Sequence, residues 1–234
     1  MQKKDYRKYL YYLFSICYVL SALLFSVHFW SFNEKFYESE HSKLTLYGKS
    51  IAEHIGISNE DLSELTHFTL SYLNDADASL DKKMLIHGTL REVFTEDEKM
   101  HMIDVQALNL LANKLLIGSI LICIALIVLF ICKKYPVSQI KKYYFRLLIT
   151  ISSFFLVLGI WILIDFDSFW TMFHHVFFPS NDLWLLDPRK DILIMIVPPE
   201  FFNHLVLYIF TTFIFLILLS VFVFKYLSKK EKMA

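Results

Sequence analysis

Four apolar runs constrain this chain more than anything else in it: Tyr9–Phe29, Leu115–Cys132, Leu147–Ile164 and Leu205–Phe224 contain no Asp, Glu, Lys or Arg. Each is 18 to 21 residues long, about the length a helix needs to cross roughly 30 Å of hydrocarbon. In lipid every backbone polar group has to be satisfied within the segment, so such runs fold as spanning helices. The composition agrees, with 56% hydrophobic and 17% aromatic residues, well above soluble usage. The first run has the basic front end of a signal peptide but is long for one. Its continuation, Trp30, Ser31, Phe32, Asn33, offers no small-x-small cleavage site, so it reads as a retained anchor. The expected class is an all-α membrane protein of four transmembrane helices, with spans at about 9–29, 115–132, 147–164 and 205–224.

Net charge is zero, yet the charges are sorted along the chain. Lys3, Lys4, Arg7 and Lys8 precede the first run, Lys133, Lys134, Lys141, Lys142 and Arg146 separate the second from the third, and Lys225, Lys229, Lys230 and Lys232 follow the fourth. Only Asp5 and Glu231 oppose these 13 bases, whereas segments 30–114 and 165–204 hold 10 bases and 21 acids. Short loops rich in Lys and Arg stay in the cytoplasm. The chain is therefore expected to lie in the cell membrane as a multi-pass protein. Both termini would be cytoplasmic, and 30–114 and 165–204 would form an extracellular, mainly helical cap.

Several functions fall away. Cys17, Cys123 and Cys132 sit within or at the ends of runs, leaving the cap neither a disulfide framework nor a thiol nucleophile. There is no P-loop, GxGxxG or HExxH, so no cofactor is implied. The basic collars suit anionic lipid head groups rather than nucleic acid.

Within the first external segment, 33–55 is amphipathic and charge-rich. Ser58 with Asp61 signals a helix start, followed by Leu62, Leu65, Phe68 and Tyr72 at helical spacing. Asn74–Asp81 reads as a polar loop. Thr95 with Glu98 is a second capping box, opening a helix through His101, Val105, Leu108 and Ala112 into the second run. The second external segment interleaves acids with Phe166, Phe169, Trp170, Phe173, Phe177, Phe178 and Trp184 and ends in the apolar run Ile192–Val197 before Pro198–Pro199. That is too apolar for a loop in water, so it is expected to lie on, or dip into, the outer leaflet.

Chemistry at such an interface falls to histidine beside carboxylates. Glu98, His101 and Asp104 recur at helical spacing, so acids can flank His101 one turn either way, and His174–His175 lie just past the third run. Imidazole titrates near neutrality and suits proton transfer. A metal site built from His101, His174, His175 and Asp104 is the competing reading, although no compact ligand motif supports it.

Two blocks carry a resemblance: Glu98-x-x-His101-x-x-Asp104-Val105, and Phe173-His174-x-x-Phe177-Phe178 followed by Asp182-x-Trp184-x-x-Asp187-Pro188, Asp191 and Pro199-Glu200-x-Phe202. In order and in spacing to the spans they resemble the bacterial lipoprotein intramolecular transacylases (Lit), four-span proteins of Gram-positive bacteria. The resemblance implies an acyltransferase. Its substrates would be diacylglyceryl-modified lipoproteins, and it would move the sn-2 acyl chain onto the α-amine of the N-terminal cysteine to leave a lyso-form. It implies catalysis by His101 and His174 in either order of base and acid, with no cofactor. Glu98, Asp104, Asp187, Asp191 and Glu200 are expected to orient or bind, and Phe173, Phe177, Phe178 and Trp184 to line the pocket. His175 falls on a variable position. Partners would be the lipoproteins and membrane lipids.

A straight helix over 96–132 would carry His101 roughly 20 Å past the start of the second apolar run at 1.5 Å per residue. A break or tilt is therefore expected near Asn109–Asn113, unless the span starts earlier. Two other readings remain open, a non-enzymatic membrane sensor or accessory subunit and a metal-dependent membrane hydrolase.

Overall fold

A computed structural model describes residues 6–233; Lys3, Lys4 and Asp5 of the first basic collar lie outside the described residues. The elements are α1 (Arg7–Ser31), α2 (Glu34–His41), β1 (Thr45–Leu46), β2 (Lys49–Ser50), α3 (Ile51–Ile55), α4 (Asn59–Asn74), β3 (Lys83–Ile86), β4 (Thr89–Glu92), α5 (Glu96–Cys132), α6 (Val137–Ile164), α7 (Phe166–Phe177), α8 (Ile192–Ile196) and α9 (Pro199–Met233). The four apolar runs fall in α1, α5, α6 and α9, each long and apolar enough to cross a membrane. The chain forms two compact units. The first takes the chain up to His28, Asn113–Ile164 and the chain from Tyr208; the second takes Phe29–Ala112 and Asp165–Leu207.

In the first unit Tyr11, Phe14 and Cys17 of α1 pack on Cys123, Leu126 and Phe130 of α5 and Ile140 of α6, while Val19 and Ala22 meet Tyr144 and Phe213. Hydroxyls join the helices inside, Tyr144 to Ser220 at 2.5 Å and Ser21 to Ser119 at 2.8 Å. Such pairs have no water to compete with in lipid. Large apolar side chains such as Ile149, Phe154, Leu163 and Phe222 face outward, the surface that hydrocarbon solvates and water does not. Glu231 accepts from the backbone N–H groups of Val137 and Ser138, closing the start of α6.

The second unit is built on a core of Ile51, Ile55, Leu62, Leu65, Tyr72, Met84, Ile86, Phe94, Met102, Ile192 and Ile196, among others. The Ser58–Asp61 capping box starts α4, with Asp61 N–H donating to the Ser58 hydroxyl at 3.0 Å. Two antiparallel hairpins, β1–β2 and β3–β4, add short strands to segment 30–114, whose sequence reads as mainly helical. Their turns are Tyr47–Gly48 and His87–Gly88, all at positive φ, the backbone of a two-residue turn whose twist matches its strands.

Two expectations are corrected. The run at Ile192–Val197 does not form an exposed interfacial segment: as α8, its Ile192, Leu193, Met195 and Ile196 are buried in the core of the second unit. And of the three alternatives for α5, a tilt and an earlier start of the span both fit the continuous helix from Glu96 to Cys132, while the break near Asn109–Asn113 is absent. Asn109 instead donates to the Leu73 carbonyl at 2.7 Å and ties α5 to the end of α4.

Candidate active site

His101 owes its place to the first turn of α5. Glu98 N–H donates to the Thr95 hydroxyl at 3.3 Å and Thr95 N–H returns a bond to Glu98 Oε2 at 2.6 Å, the reciprocal capping box. The other carboxylate oxygen accepts Leu193 N–H of α8 at 2.6 Å. Glu98 is wholly buried. Burial and the nearby Asp191 raise its pKa, and the donors from Leu193 and Thr95 oppose that rise. One carboxylate thus clamps the start of α5 to α8, and His101 follows three residues on.

His174 is placed by α7. Asp165 caps that helix by accepting Ser168 N–H at 3.0 Å, and His174 is its one buried residue. A carbonyl oxygen can only accept, so the 2.8 Å contact of His174 Nδ1 with the Trp170 carbonyl puts the proton on Nδ1 and leaves Nε2 with a free lone pair. Around it, Trp184 stacks on the imidazole at 4.7 Å, Trp170 meets its face edge-on at 4.8 Å, and Phe178 lies at 5.8 Å. Trp170 itself stacks on Phe173 at 5.1 Å and on Phe202 at 4.4 Å, and Phe177 packs on Phe173.

The two imidazoles, separated by 73 residues of chain, have centroids 6.2 Å apart, and Phe178 packs against both. Each is only 7% exposed. Burial pushes the pKa of His101 down to about 4, helped by His174 and opposed by Asp104. Burial likewise lowers that of His174, with the Trp170 carbonyl opposing and His175 adding to the shift. Both rings are neutral at pH 7, so both begin as bases. Among the described residues two buried polar atoms here find no hydrogen-bond partner, His101 Nδ1 and Trp184 Nε1, and each belongs to a residue in ring contact with His174.

The acids stand further back than their spacing suggests. Neither Glu98 nor Asp104 hydrogen-bonds His101. Asp104 accepts from Asn181 Nδ2 at 3.0 Å and acts on His101 through space. Asp191 accepts Asp187 N–H at 2.7 Å, which shapes the turn after Trp184. Asp187 is engaged by Arg189 at 2.9 and 3.0 Å, which lowers its pKa to about 2. Glu200 is exposed in the first turn of α9, and among the described residues nothing links it to either histidine. His175 is exposed, edge-on to Trp184. Among the described residues, no three His, Cys, Asp or Glu side chains converge as a metal would require.

Three contributors were not legible as site residues. Trp170 works through its backbone carbonyl, Phe202 backs Trp170, and Asn181 ties the loop before Trp184 to Asp104 while accepting Leu183 N–H at 3.1 Å. For Asn181 the one available signal was its turn chemistry, an Asx side chain bonding two residues on.

A sequence profile described as "Lipoprotein intramolecular transacylase Lit" matches residues 12–202. In three dimensions the chain is similar to the membrane integral lipoprotein intramolecular transacylase Lit from Bacillus cereus. The TM-score is 0.82 at 20% identity, over 99% of this chain and 100% of that one. Two variants of that protein, with one histidine replaced by arginine or by alanine, match at TM-scores of 0.72 and 0.73, each at 20% identity and over 96% of this chain; they are covered over 92% and 94% of their own length. No curated protein is significantly similar in sequence.

Proposed function

The chain belongs to the lipoprotein intramolecular transacylase (Lit) family, and from that premise we propose that it moves the sn-2 acyl chain of a diacylglyceryl-modified lipoprotein onto the α-amine of its N-terminal cysteine, with His101 and His174 handling the protons. The observation that carries this reading is the buried pair of neutral imidazoles 6.2 Å apart, one with its tautomer fixed.

The reaction asks for little else. The amine nitrogen attacks the ester carbonyl carbon, forming the C–N bond and an oxyanion. His174 Nε2 takes the proton the nitrogen sheds. When the carbonyl re-forms and the C–O bond to glycerol breaks, the same proton, carried as imidazolium, neutralises the leaving alkoxide directly or through His101. Exchange of the two roles keeps the balance. Ester to amide is downhill, so no energy source is needed. Nucleophile and acyl group share one molecule, so no acyl-enzyme is needed either. The intermediate closes an eight-membered ring, and medium rings form reluctantly, so holding amine and ester together is a large part of the catalysis. The cage of Trp170, Phe173, Phe178 and Trp184 excludes the water that would hydrolyse the ester. In this reading the histidine pair faces the outer side of the cell membrane and both termini are cytoplasmic, which the sorting of Lys and Arg along the sequence supports.

Mass spectrometry of lipoprotein N-termini from cells with and without this protein tests the proposal. A lyso-form carrying an N-acyl group should appear only with it; identical N-termini in both would refute it.

A further inference from the structure

The indole N–H of Trp184 can only donate, and it is buried with no acceptor among the described residues. Burying an unpaired donor costs free energy, so one kept beside reactive groups calls for a partner from outside the chain, and a substrate atom is the partner the setting offers. The setting says which atom. Trp184 stacks on His174 at 4.7 Å with 24° between the planes, so the indole that carries this N–H is in direct ring contact with the imidazole assigned as base. That imidazole's own N–H is spent on the Trp170 carbonyl at 2.8 Å and cannot serve the substrate.

During transfer three substrate atoms change charge or proton count. The amine nitrogen gives up a proton and its lone pair to the new C–N bond. The glyceryl oxygen receives its proton from imidazolium. The ester carbonyl oxygen gains a negative charge in the tetrahedral intermediate and returns it when the carbonyl re-forms, so it alone needs a fixed donor that never transfers its proton. An indole N–H, too weak an acid to be deprotonated there, meets that requirement. Resting on the transacylase reading, we propose that Trp184 is a catalytic residue whose Nε1–H stabilises the oxyanion. His101 Nδ1, the other unpartnered atom, is left to the glyceryl side.

The test uses purified full-length protein and a synthetic diacylglyceryl lipopeptide, with N-acyl product followed by mass spectrometry. Trp184→Phe keeps an aromatic stack without the donor, and β-(3-benzothienyl)alanine at position 184 keeps the bicyclic shape and replaces N–H by sulfur. Both should lower kcat about 100-fold or more, the usual loss for one oxyanion donor, with KM and the pH profile unchanged. Full kcat in the benzothienyl protein would overturn the proposal, as would a raised KM at unchanged kcat, which marks ground-state binding only. No turnover by the unsubstituted protein would instead bring down the transacylase reading on which the proposal rests.

Discussion

His174 depends on a group that no side-chain motif displays. The Trp170 carbonyl fixes its proton on Nδ1, and burial keeps the ring neutral. Replacing His174 or His101 by Ala should therefore lower kcat by about 10²–10⁴, the range for a positioned acid or base, while the protein still inserts; turnover assays on membranes with matched protein content check this. The pH dependence has a definite sign. With His101 titrating near 4 and His174 below its ordinary value, neither limits the rate between pH 6.5 and 9. The substrate α-amine, with a pKa of about 8, does. The acid limb of kcat/KM should climb with pH and level off above about 8; a profile flat from pH 7 upward would contradict it. The histidines could be read as candidates from the acids at helical spacing around His101, from the pair His174–His175 past the third run, and from the resemblance, which also supplied Trp184. The roles of the acids were less legible, because helical spacing reports a shared face and not the partner a carboxylate finds. Glu98 turns to Leu193 and Asp104 to Asn181.

At the scale of elements, α5 and α8 are held by the Glu98 carboxylate. Glu98→Ala would leave the buried Leu193 N–H unpaired, at a cost of about 1–3 kcal/mol, and would release the N–H of the exposed Thr95 to solvent. Thermal unfolding should register the loss, and kcat should fall with it as His101 shifts. The hairpin next to α3 makes a sharper comparison. Gly56 caps α3 at φ +80° and an added Cβ would collide with the His87 ring, whereas Gly88 at φ +75° has nothing near. Gly56→Ala should destabilise by more than Gly88→Ala, for which only the left-handed backbone penalty of about 1–2 kcal/mol applies. The long apolar helices and both capping boxes were readable from hydropathy and from Ser/Thr-x-x-acid spacing. The hairpins were not. Their strands are only two to four residues long, and the X–Gly turns are their one local mark. The fate of α8 was unreadable for a related reason: a short apolar run suits lipid and a protein core equally.

For the whole molecule, the first unit presents apolar side chains outward, and the second buries an apolar core together with a few titratable groups, Glu40, Glu98, His101, His174 and Asp191. His41, His101 and His174 all have pKa values lowered chiefly by burial, so the unfolded chain binds more protons as pH falls. Their contribution to stability is whole above pH 6.5 and is lost progressively toward pH 4; unfolding temperature in detergent should decline over that window. The proposed orientation is checked by cysteine labelling in a cysteine-free background. Asp77→Cys should react with an impermeant thiol reagent added outside, and Lys229→Cys only after the membrane is opened. The central claim, acyl transfer within one molecule by a buried histidine pair, is tested most directly with a diacylglyceryl lipopeptide isotopically labelled in its sn-2 chain. The labelled chain should appear on the cysteine nitrogen, in a product that needs both His101 and His174. Label retained on glycerol, label released as free fatty acid, or undiminished transfer after both histidines are replaced by alanine would contradict the account.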